Sequence, residues 1–157
     1  MSAPTTSIAT EYLMTLHAPI AGAPQRIDEA LTIFHSDSGT VEGPRIKGRI
    51  LAPTGDWLRT MPGGSLRVDA RMSIATDDGA QIYVQYGGVI AIAPADFARM
   101  AAGDTLHAAE MYFVTAPIFQ TADPRYAWLN QVQAIGKAVA LKGGEGGYVR
   151  YDVFAVK

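Results

Sequence analysis

Strict alternation of apolar and polar residues over Ser65–Ala75 constrains the fold of this 157-residue chain more than any other feature. One face of the segment carries five apolar side chains, and the other carries charged or hydroxyl side chains. Because successive side chains of a β-strand point to opposite faces, the pattern predicts a strand with one buried face. Asp77-Asp78-Gly79 follows and predicts a hairpin turn. We therefore expect Ala80–Ala93 to be the partner strand, with a bulge or bend at Gly87-Gly88.

Strand signals also dominate the rest of the chain. Further strands are predicted at Ile8–Ala18, Ala30–His35, Thr40–Leu51 with an interruption at Gly43-Pro44, Leu106–Ala116, Trp128–Leu141 and Tyr148–Val156. Pro94–Ala102 instead predicts a helix, because a proline opens it, Asp96 lies in its first turn and Gly103 follows it. About eight evenly spaced strands indicate a barrel or a sandwich, and a barrel of that size can hold one small ligand. We expect a single domain over residues 1–157, with residues 1–8 flexible.

Composition and charge exclude several classes of function. The chain has 13 basic and 15 acidic residues, a net charge of −2 and no cysteine. This balance argues against a nucleic-acid partner, and the lack of cysteine excludes thiol nucleophiles, sulfur-bound zinc and iron–sulfur clusters. No signal peptide or membrane span is recognisable, so we expect a cytoplasmic protein. His17, His35 and His107 lie on separate predicted strands without metal-motif spacing, so we predict no metal.

Two groups of charged residues have the spacing that places side chains on one face of a strand. Asp69 and Arg71 either line a lumen, where they can orient a polar substrate, or form a solvated ion pair outside it. Arg45, Lys47 and Arg49 are either an anion-binding wall or the solvated face of an edge strand. The alternation of the sequence leaves both questions open.

Acidic and aromatic residues provide further candidates. Asp56-Trp57 follows a predicted turn at Pro53-Thr54-Gly55. An acid beside a large ring at a loop mouth suits a general acid or base whose pKa the ring raises. Alternatively, Trp57 plugs one end of the barrel and Asp56 caps backbone amides. Tyr83 can donate a proton in a dry cavity, and Trp128 belongs either to the core or to a ligand wall.

Several motifs of the chain resemble those of one protein family. They are Gly43-Pro44-Arg45-Ile46-Lys47-Gly48, Gly55-Asp56-Trp57, Leu66–Arg71, Thr76–Val84, Ala116–Thr121 and Asp123–Asn130. Together they resemble the bacterial and fungal family of unknown function DUF3237, also called UPF0311, from about Glu11 onward. The resemblance implies a closed antiparallel eight-stranded β-barrel with one short helix, similar to allene oxide cyclase and dirigent proteins. Those relatives shape reactive small molecules in an apolar lumen, without a cofactor and often as oligomers.

The resemblance also implies which polar positions matter here. The family's recurring polar positions are Asp56, Trp57, Asp69, Arg71, Tyr83, Trp128 and Asn130. Gln120 stands where the family often has Glu, so a base would have to come from Asp56 or Asp69.

These observations lead to one leading hypothesis and two alternatives. The leading hypothesis is a cofactor-independent isomerase, cyclase or lyase acting on a small, partly apolar aromatic or polyketide-like compound. The expected catalytic residues are Asp56, Asp69, Arg71 and Tyr83, and the expected ligand-binding residues are Arg45, Lys47, Trp57, Gln120, Trp128 and Asn130. The first alternative is a barrel that binds a small molecule without catalysis, and the second is a filled, structural barrel. We expect a homo-oligomer.

Overall fold

The computed structural model describes residues 1–4 and 7–157. These residues form twelve β-strands. The strands are β1 (Thr10–Pro19), β2 (Gln25–Arg26), β3 (Leu31–Ser36), β4 (Thr40–Glu42), β5 (Lys47–Thr60), β6 (Leu66–Thr76), β7 (Gln81–Ala91), β8 (Thr105–His107), β9 (Tyr112–Thr115), β10 (Ile118–Gln120), β11 (Ala134–Lys142) and β12 (Tyr148–Val156). Helix α1 spans Pro94–Ala101, where its start and stop signals predict it. Residues 5 and 6 lie outside the described residues. They belong to the segment 1–8, which the sequence predicts to be flexible.

Eight of these strands close into an antiparallel barrel. Their circular order is β1, β4, β5, β6, β7, β9, β11, β12 and back to β1. β3 pairs with the second half of β5, on the same side as β4, and its other edge pairs with β2. β8 pairs with β11, and β10 pairs with β7. The predicted closed eight-stranded barrel with one short helix is confirmed, and closure pairs the edges that an open sheet would expose.

The β6–β7 hairpin forms the most regular wall of the barrel. Val68, Ala70, Met72 and Ile74 point inward and are each at most 5% exposed. Burial of each larger apolar side chain contributes roughly 1.5–3 kcal/mol, which explains why this face is fixed inward. The predicted bulge at Gly87-Gly88 is wrong, because the register runs through both glycines without a shift. Gly88 instead allows β9 to come close, since a Cβ at this position would lie 2.5 Å from the Val114 carbonyl oxygen.

The predicted strand over Trp128–Leu141 is only partly correct. Ala127–Gln131 forms a 3₁₀ turn, and β11 begins at Ala134. The Asn130 amide accepts a hydrogen bond from the Thr121 N–H and donates one to the Thr121 carbonyl oxygen, both at 2.9 Å. These two bonds hold the turn against β10, so the chain cannot continue as a strand there.

The two ends of the barrel differ in how they are filled. At the closed end, where β6 passes into β7, Ile46, Ile82 and Leu129 are buried in the core and the 3₁₀ turn lies over them. At the open end, where β5 passes into β6, the inner face is not filled by side chains, and α1 lies beside the opening. The open end therefore holds the space that a ligand would need.

Candidate functional site

A cavity of about 300 Å³ occupies the open end of the barrel. Its volume lies at the lower limit for small-molecule sites. Most of its walls are apolar, with Phe34, Leu58, Met72, Ile90, Phe97 and Phe113 among the side chains that line it. The cavity thus offers a small, largely apolar space, and its few polar groups determine what chemistry is possible there.

An irregularity in β5 places polar side chains on the cavity wall. Between Leu51 and Gly55 the register of β5 against β6 shifts, so β5 has extra residues there. The Thr54 hydroxyl donates to the Leu51 carbonyl oxygen at 2.8 Å and accepts the Ser73 N–H at 3.1 Å. The predicted turn at Pro53-Thr54-Gly55 is therefore a bulge within a long strand. Beyond it, alternate residues of β5, Asp56 among them, line the cavity.

Asp56 is the acidic side chain of this cavity. One of its carboxyl oxygens, Oδ1, accepts the backbone N–H of Asp69 at 2.9 Å. Burial raises the pKa of Asp56 to about 6; the bond from the Asp69 N–H opposes this rise, and the negative charge of Asp69 adds to it. The Trp57 ring, to which one interpretation of the sequence assigned this rise, is not among the residues that line the cavity.

Two buried phenols accompany Asp56 in the cavity. Tyr86 and Tyr151 are 8% and 4% exposed, and their rings meet edge to face with centroids 6.0 Å apart. Burial, more than the nearby negative charge of Asp56, raises the pKa of both hydroxyls above its ordinary value. Both phenols therefore keep their protons and remain hydrogen-bond donors.

Backbone register shows how Asp56 and Tyr86 come to share one wall. Asp56 is paired with Ala70, and Ala70 is paired with Tyr86. The small side chain between them leaves the acid and the phenol on one row of the inner face. Neither tyrosine belongs to the predicted site. The parity of Tyr86 with Ile82 and Val84 was the signal that could have placed it inside the barrel.

Three of the four predicted catalytic residues lie outside the lumen. The Asp69 and Arg71 side chains are 42% and 46% exposed and form an ion pair at 3.1 Å, which Arg59 extends at 3.7 Å. Tyr83 is 38% exposed, and its hydroxyl donates to Gln85 at 3.3 Å. The expectation that Asp69, Arg71 and Tyr83 face the cavity is corrected here, because the apolar face of the β6–β7 hairpin points inward and turns all three outward.

Trp57 also lies away from the cavity. It follows Asp56 on β5, so its side chain points to the opposite face of the strand. The Arg71 guanidinium is 5.6 Å from the centroid of the indole. The structure therefore places Trp57 with the outer Arg71–Asp69 pair and not with the ligand space that we predicted for it.

The remaining predicted ligand-binding residues are at the closed end. The Arg45 guanidinium stacks on Trp128 at 3.7 Å from the ring centroid, and Lys47 pairs in register with Glu42 on the exterior. Gln120 is exposed on β10, and Asn130 is occupied by Thr121. None of these five residues lines the open-end cavity as the structure describes it, so their expected contact with a ligand there is corrected.

Lys142 and His35 are among the residues that line the cavity. The Lys142 ammonium donates to the Glu145 carbonyl oxygen at 2.6 Å. The His35 ring lies against Gly22, where a Cβ would be 3.6 Å from the ring. Among residues 1–4 and 7–157, no three His, Asp or Glu side chains group as a metal site would require, and no helix is long and apolar enough to cross a bilayer.

Fold and cavity together define a class of proteins: eight-stranded barrels with an ionisable group in an apolar interior. Within that class, the chain belongs to the family described as "Protein of unknown function (DUF3237)", whose model matches residues 4–156. This confirms the family expected from the sequence motifs. A UPF0311 protein of Rhodopseudomonas palustris is 30% identical over 138 residues, which are 85% of this chain and 90% of that protein.

Solved structures resemble the barrel along its whole length. A conserved protein of unknown function from Rhodopseudomonas palustris matches with a TM-score of 0.86 and 28% identity, covering 98% of this chain and all of the other. A β-barrel-like protein from Acinetobacter baumannii matches at 0.78 and 28%, covering 99% and 100%. An enzyme from Penicillium herquei matches at 0.68 and 20% over the full length of both chains, a likeness that concerns the fold alone.

Proposed function

We propose that the chain is a cofactor-independent acid–base enzyme whose substrate is a small, partly apolar aromatic or polyketide-like compound. The enzyme isomerises or cyclises this compound, or eliminates a group from it. The observation that carries this proposal is one carboxyl group, Asp56, on an apolar cavity wall together with two buried phenols, Tyr86 and Tyr151. A carboxyl whose pKa is about 6 is well suited to proton transfer near neutral pH, because it exchanges a proton in either direction without a large penalty.

The proposed step begins with Asp56 as the base. Its carboxylate removes a proton from a carbon next to a carbonyl group or from a phenolic hydroxyl, and the released electron pair forms an enolate or phenolate. Return of the proton from Asp56 to another carbon gives an isomer. Attack of the enolate or phenolate on an unsaturated electrophilic carbon of the same molecule closes a ring; the displaced π-electron pair moves to the neighbouring atom, which takes the proton back from Asp56. Loss of a leaving group that takes the proton from Asp56 gives an elimination product instead. No atom is gained or lost from outside.

The two phenols have the role of stabilising the anion. A tyrosine hydroxyl that stays protonated in a dry site donates a hydrogen bond where negative charge develops. Tyr86 lies on the same row of the inner face as Asp56, and Tyr151 meets Tyr86 edge to face. In this proposal they replace Arg71 and Tyr83, whose side chains lie outside the barrel.

A second candidate is a barrel that binds the same kind of compound without changing it. The observation that favours it is the hydrogen bond between the Asp69 N–H and Asp56, which gives the carboxyl a structural task. In that case Asp56 completes the β5–β6 contact where the backbone ladder is interrupted. The two candidates differ in whether a proton leaves the ligand.

Solvent-deuterium exchange separates the two candidates. Small aromatic ketones and phenols are incubated with the protein in deuterated water, and incorporation is followed by NMR and mass spectrometry. The enzyme proposal expects incorporation with the wild-type chain and with Glu42→Gln, an exposed control on β4, and none with Asp56→Asn. A compound that binds and is recovered without deuterium from the wild-type chain supports the binding barrel instead.

Two expectations about the whole protein also remain proposals. Self-association would be tested by light scattering of the purified chain, and a cytoplasmic location by fractionation of the cells that produce it.

A further inference from the structure

We infer that the open-end cavity takes its ligand as an electrically neutral molecule with an acidic hydroxyl or C–H group, and that it excludes carboxylates of the same shape. This inference rests on the proposed acid–base function and adds to it the charge of the substrate. The sequence left open an anionic ligand held by Arg71, Arg45 or Lys47 as one alternative to solvated positions for these side chains. The positions of those three side chains remove that possibility for this cavity.

The inner part of the cavity contains a negative group and no cation to balance a second one. Asp56 is surrounded by apolar wall residues such as Phe34 and Met72. The nearest guanidinium groups belong to the outer face, where Arg59 and Arg71 pair with Asp69. A ligand carboxylate would therefore lie near a like charge in surroundings of low polarity, where repulsion is strong and desolvation is unfavourable.

The ammonium group of Lys142 is already engaged by the protein. Lys142 is bound to the carbonyl oxygen of Glu145 in its own turn, and the His35 ring lies against Gly22. Among the residues that the structure describes, Lys142 is the one lysine or arginine that lines the cavity. Lys142 lies at the end of β11, across the barrel from β5, and its ammonium group donates to its own turn, so it is held away from a carboxylate that reaches Asp56.

A neutral hydroxyl compound meets groups that match it. Its O–H can donate to the Asp56 carboxylate, its ring can lie against Phe113 and Met72, and its oxygen can accept from Tyr86 or Tyr151. Both phenols are donors because burial keeps them protonated. The inner cavity therefore favours a weak acid that gives up its proton after binding over a strong acid that arrives ionised.

The groups that face Asp56 come from four strands. β6 contributes the backbone N–H of Asp69 and the charge of its carboxylate, β7 contributes Tyr86, β12 contributes Tyr151, and β3 places Phe34 in register opposite. Because burial is the main reason that Asp56 resists ionisation, acidification to about pH 5 neutralises it and removes most of the repulsion.

Paired binding of 2-naphthol and 2-naphthoate tests the inference, because the two probes share one ring system and differ in charge. Calorimetric titration at about pH 8 is expected to show that the wild-type chain binds the naphthoate at least about tenfold more weakly than the naphthol. Asp56→Asn should strengthen naphthoate binding and so reduce the difference in affinity between the two probes. Titration of the wild-type chain at about pH 5 should reduce the difference in the same way. Glu42→Gln, the exposed control, should leave the ratio unchanged.

Three outcomes overturn the inference. One is naphthoate binding to the wild-type chain at least as tight as naphthol binding. Another is loss of naphthoate binding in Lys142→Gln with the ratio unaffected by Asp56→Asn, which would place the carboxylate at Lys142. The third is that neither compound binds. Each is independent of deuterium exchange, so catalysis without this charge preference and the preference without catalysis are distinguishable results.

Discussion

The carboxyl groups at the two ends of the barrel have pKa shifts in opposite directions. At the closed end, Asp78 accepts hydrogen bonds from Thr76 at 2.6 Å and Tyr126 at 2.8 Å, and Arg125 bonds Asp123 at 2.7 Å. These donors lower the pKa of Asp78, and the pairing with Arg125 lowers that of Asp123 to about 2. At the open end Asp56 has the Asp69 N–H as its hydrogen-bond partner and an apolar wall around it, and its pKa is about 6.

This contrast shows that the same side chain serves two purposes according to the number of donors around it. The closed end uses its acids, fully supplied with donors, to hold the turn after β6 and the segment around Tyr126 in place. The open end leaves Asp56 incompletely satisfied, so ionising it opposes folding. The proposed function gives a reason for this loss of stability, because active sites commonly lower the stability of the fold that holds them.

The largest expected effect is on proton transfer when Asp56 is replaced by Asn. The amide keeps an oxygen for the Asp69 N–H but cannot accept the substrate proton. Deuterium exchange should fall by about 10²–10⁴-fold, the usual contribution of a general base. The rate is measured by NMR on any compound that the wild-type chain exchanges. An exchange rate within about twofold of wild type would show that the open end does not use Asp56 as its base.

The next largest effect is expected on stability when a buried side chain at the closed end is shortened. Leu129 has no exposed surface, and Leu129→Ala should lower the free energy of unfolding by about 2–5 kcal/mol. Urea denaturation followed by circular dichroism gives the value, and the naphthol titration at low urea should give the wild-type affinity. Weakened naphthol binding in a variant that is still folded would contradict the separation of the two ends.

The sequence was informative where one physical signal determined the outcome. The alternation in β6 and the Asp-Asp-Gly turn predicted a regular hairpin, and the closed barrel followed from the strand count and the family motifs. Parity did identify which residues share a face. It did not say whether Asp69 and Arg71 or Val68 and Met72 point inward, since that depends on how much apolar surface the other strands bring to the centre.

The polar part of the site was harder to predict than the fold. Asp56 was among the candidates, but the sequence did not show that it lies on a cavity wall, where burial is the main cause of its raised pKa. Tyr86 and Tyr151 are far apart in sequence and meet because β7 and β12 lie on opposite sides of β9 and β11. Closure of the barrel through these four strands brings the two rings together, and no local sequence motif predicts such a contact.

A smaller effect concerns stability and pH at the open end. The pKa of Asp56 is higher in the folded chain than the ordinary value of 3.8, so the folded state binds the proton more tightly. Stability from this group is therefore present below about pH 4 and is lost as the pH rises to about 6, with a change of up to about 3 kcal/mol. Asp56→Asn should stabilise the chain at about pH 8 and have little effect at about pH 4, as measured by urea denaturation. An equal effect at both pH values would show that burial does not oppose the charge.

At the closed end, the dependence of stability on pH should have the opposite sign. Asp123 has a lowered pKa because of Arg125, so its contribution to stability is present above its ordinary value of 3.8 and is lost as the pH falls toward 2. Asp123→Asn should destabilise the chain slightly near neutral pH and not at about pH 2. Thermal denaturation at the two pH values measures this. Destabilisation of the same size in acid would mean that the hydrogen bonds to Asp123, and not its charge, are what matters.

The smallest effects are expected on the outer face that the sequence suggested as a catalytic surface. Arg71 pairs with Asp69 in a half-exposed position, where solvent screens the interaction, so Arg71→Gln should change stability by less than about 1 kcal/mol. Tyr83→Phe removes a single long hydrogen bond to Gln85 on the same exposed surface. Both variants should keep the wild-type deuterium exchange rate and naphthol affinity, because neither side chain reaches the cavity. A loss of exchange of tenfold or more in either variant, with naphthol affinity unchanged, would return the outer face to the reaction and would mean that the cavity is not the whole site.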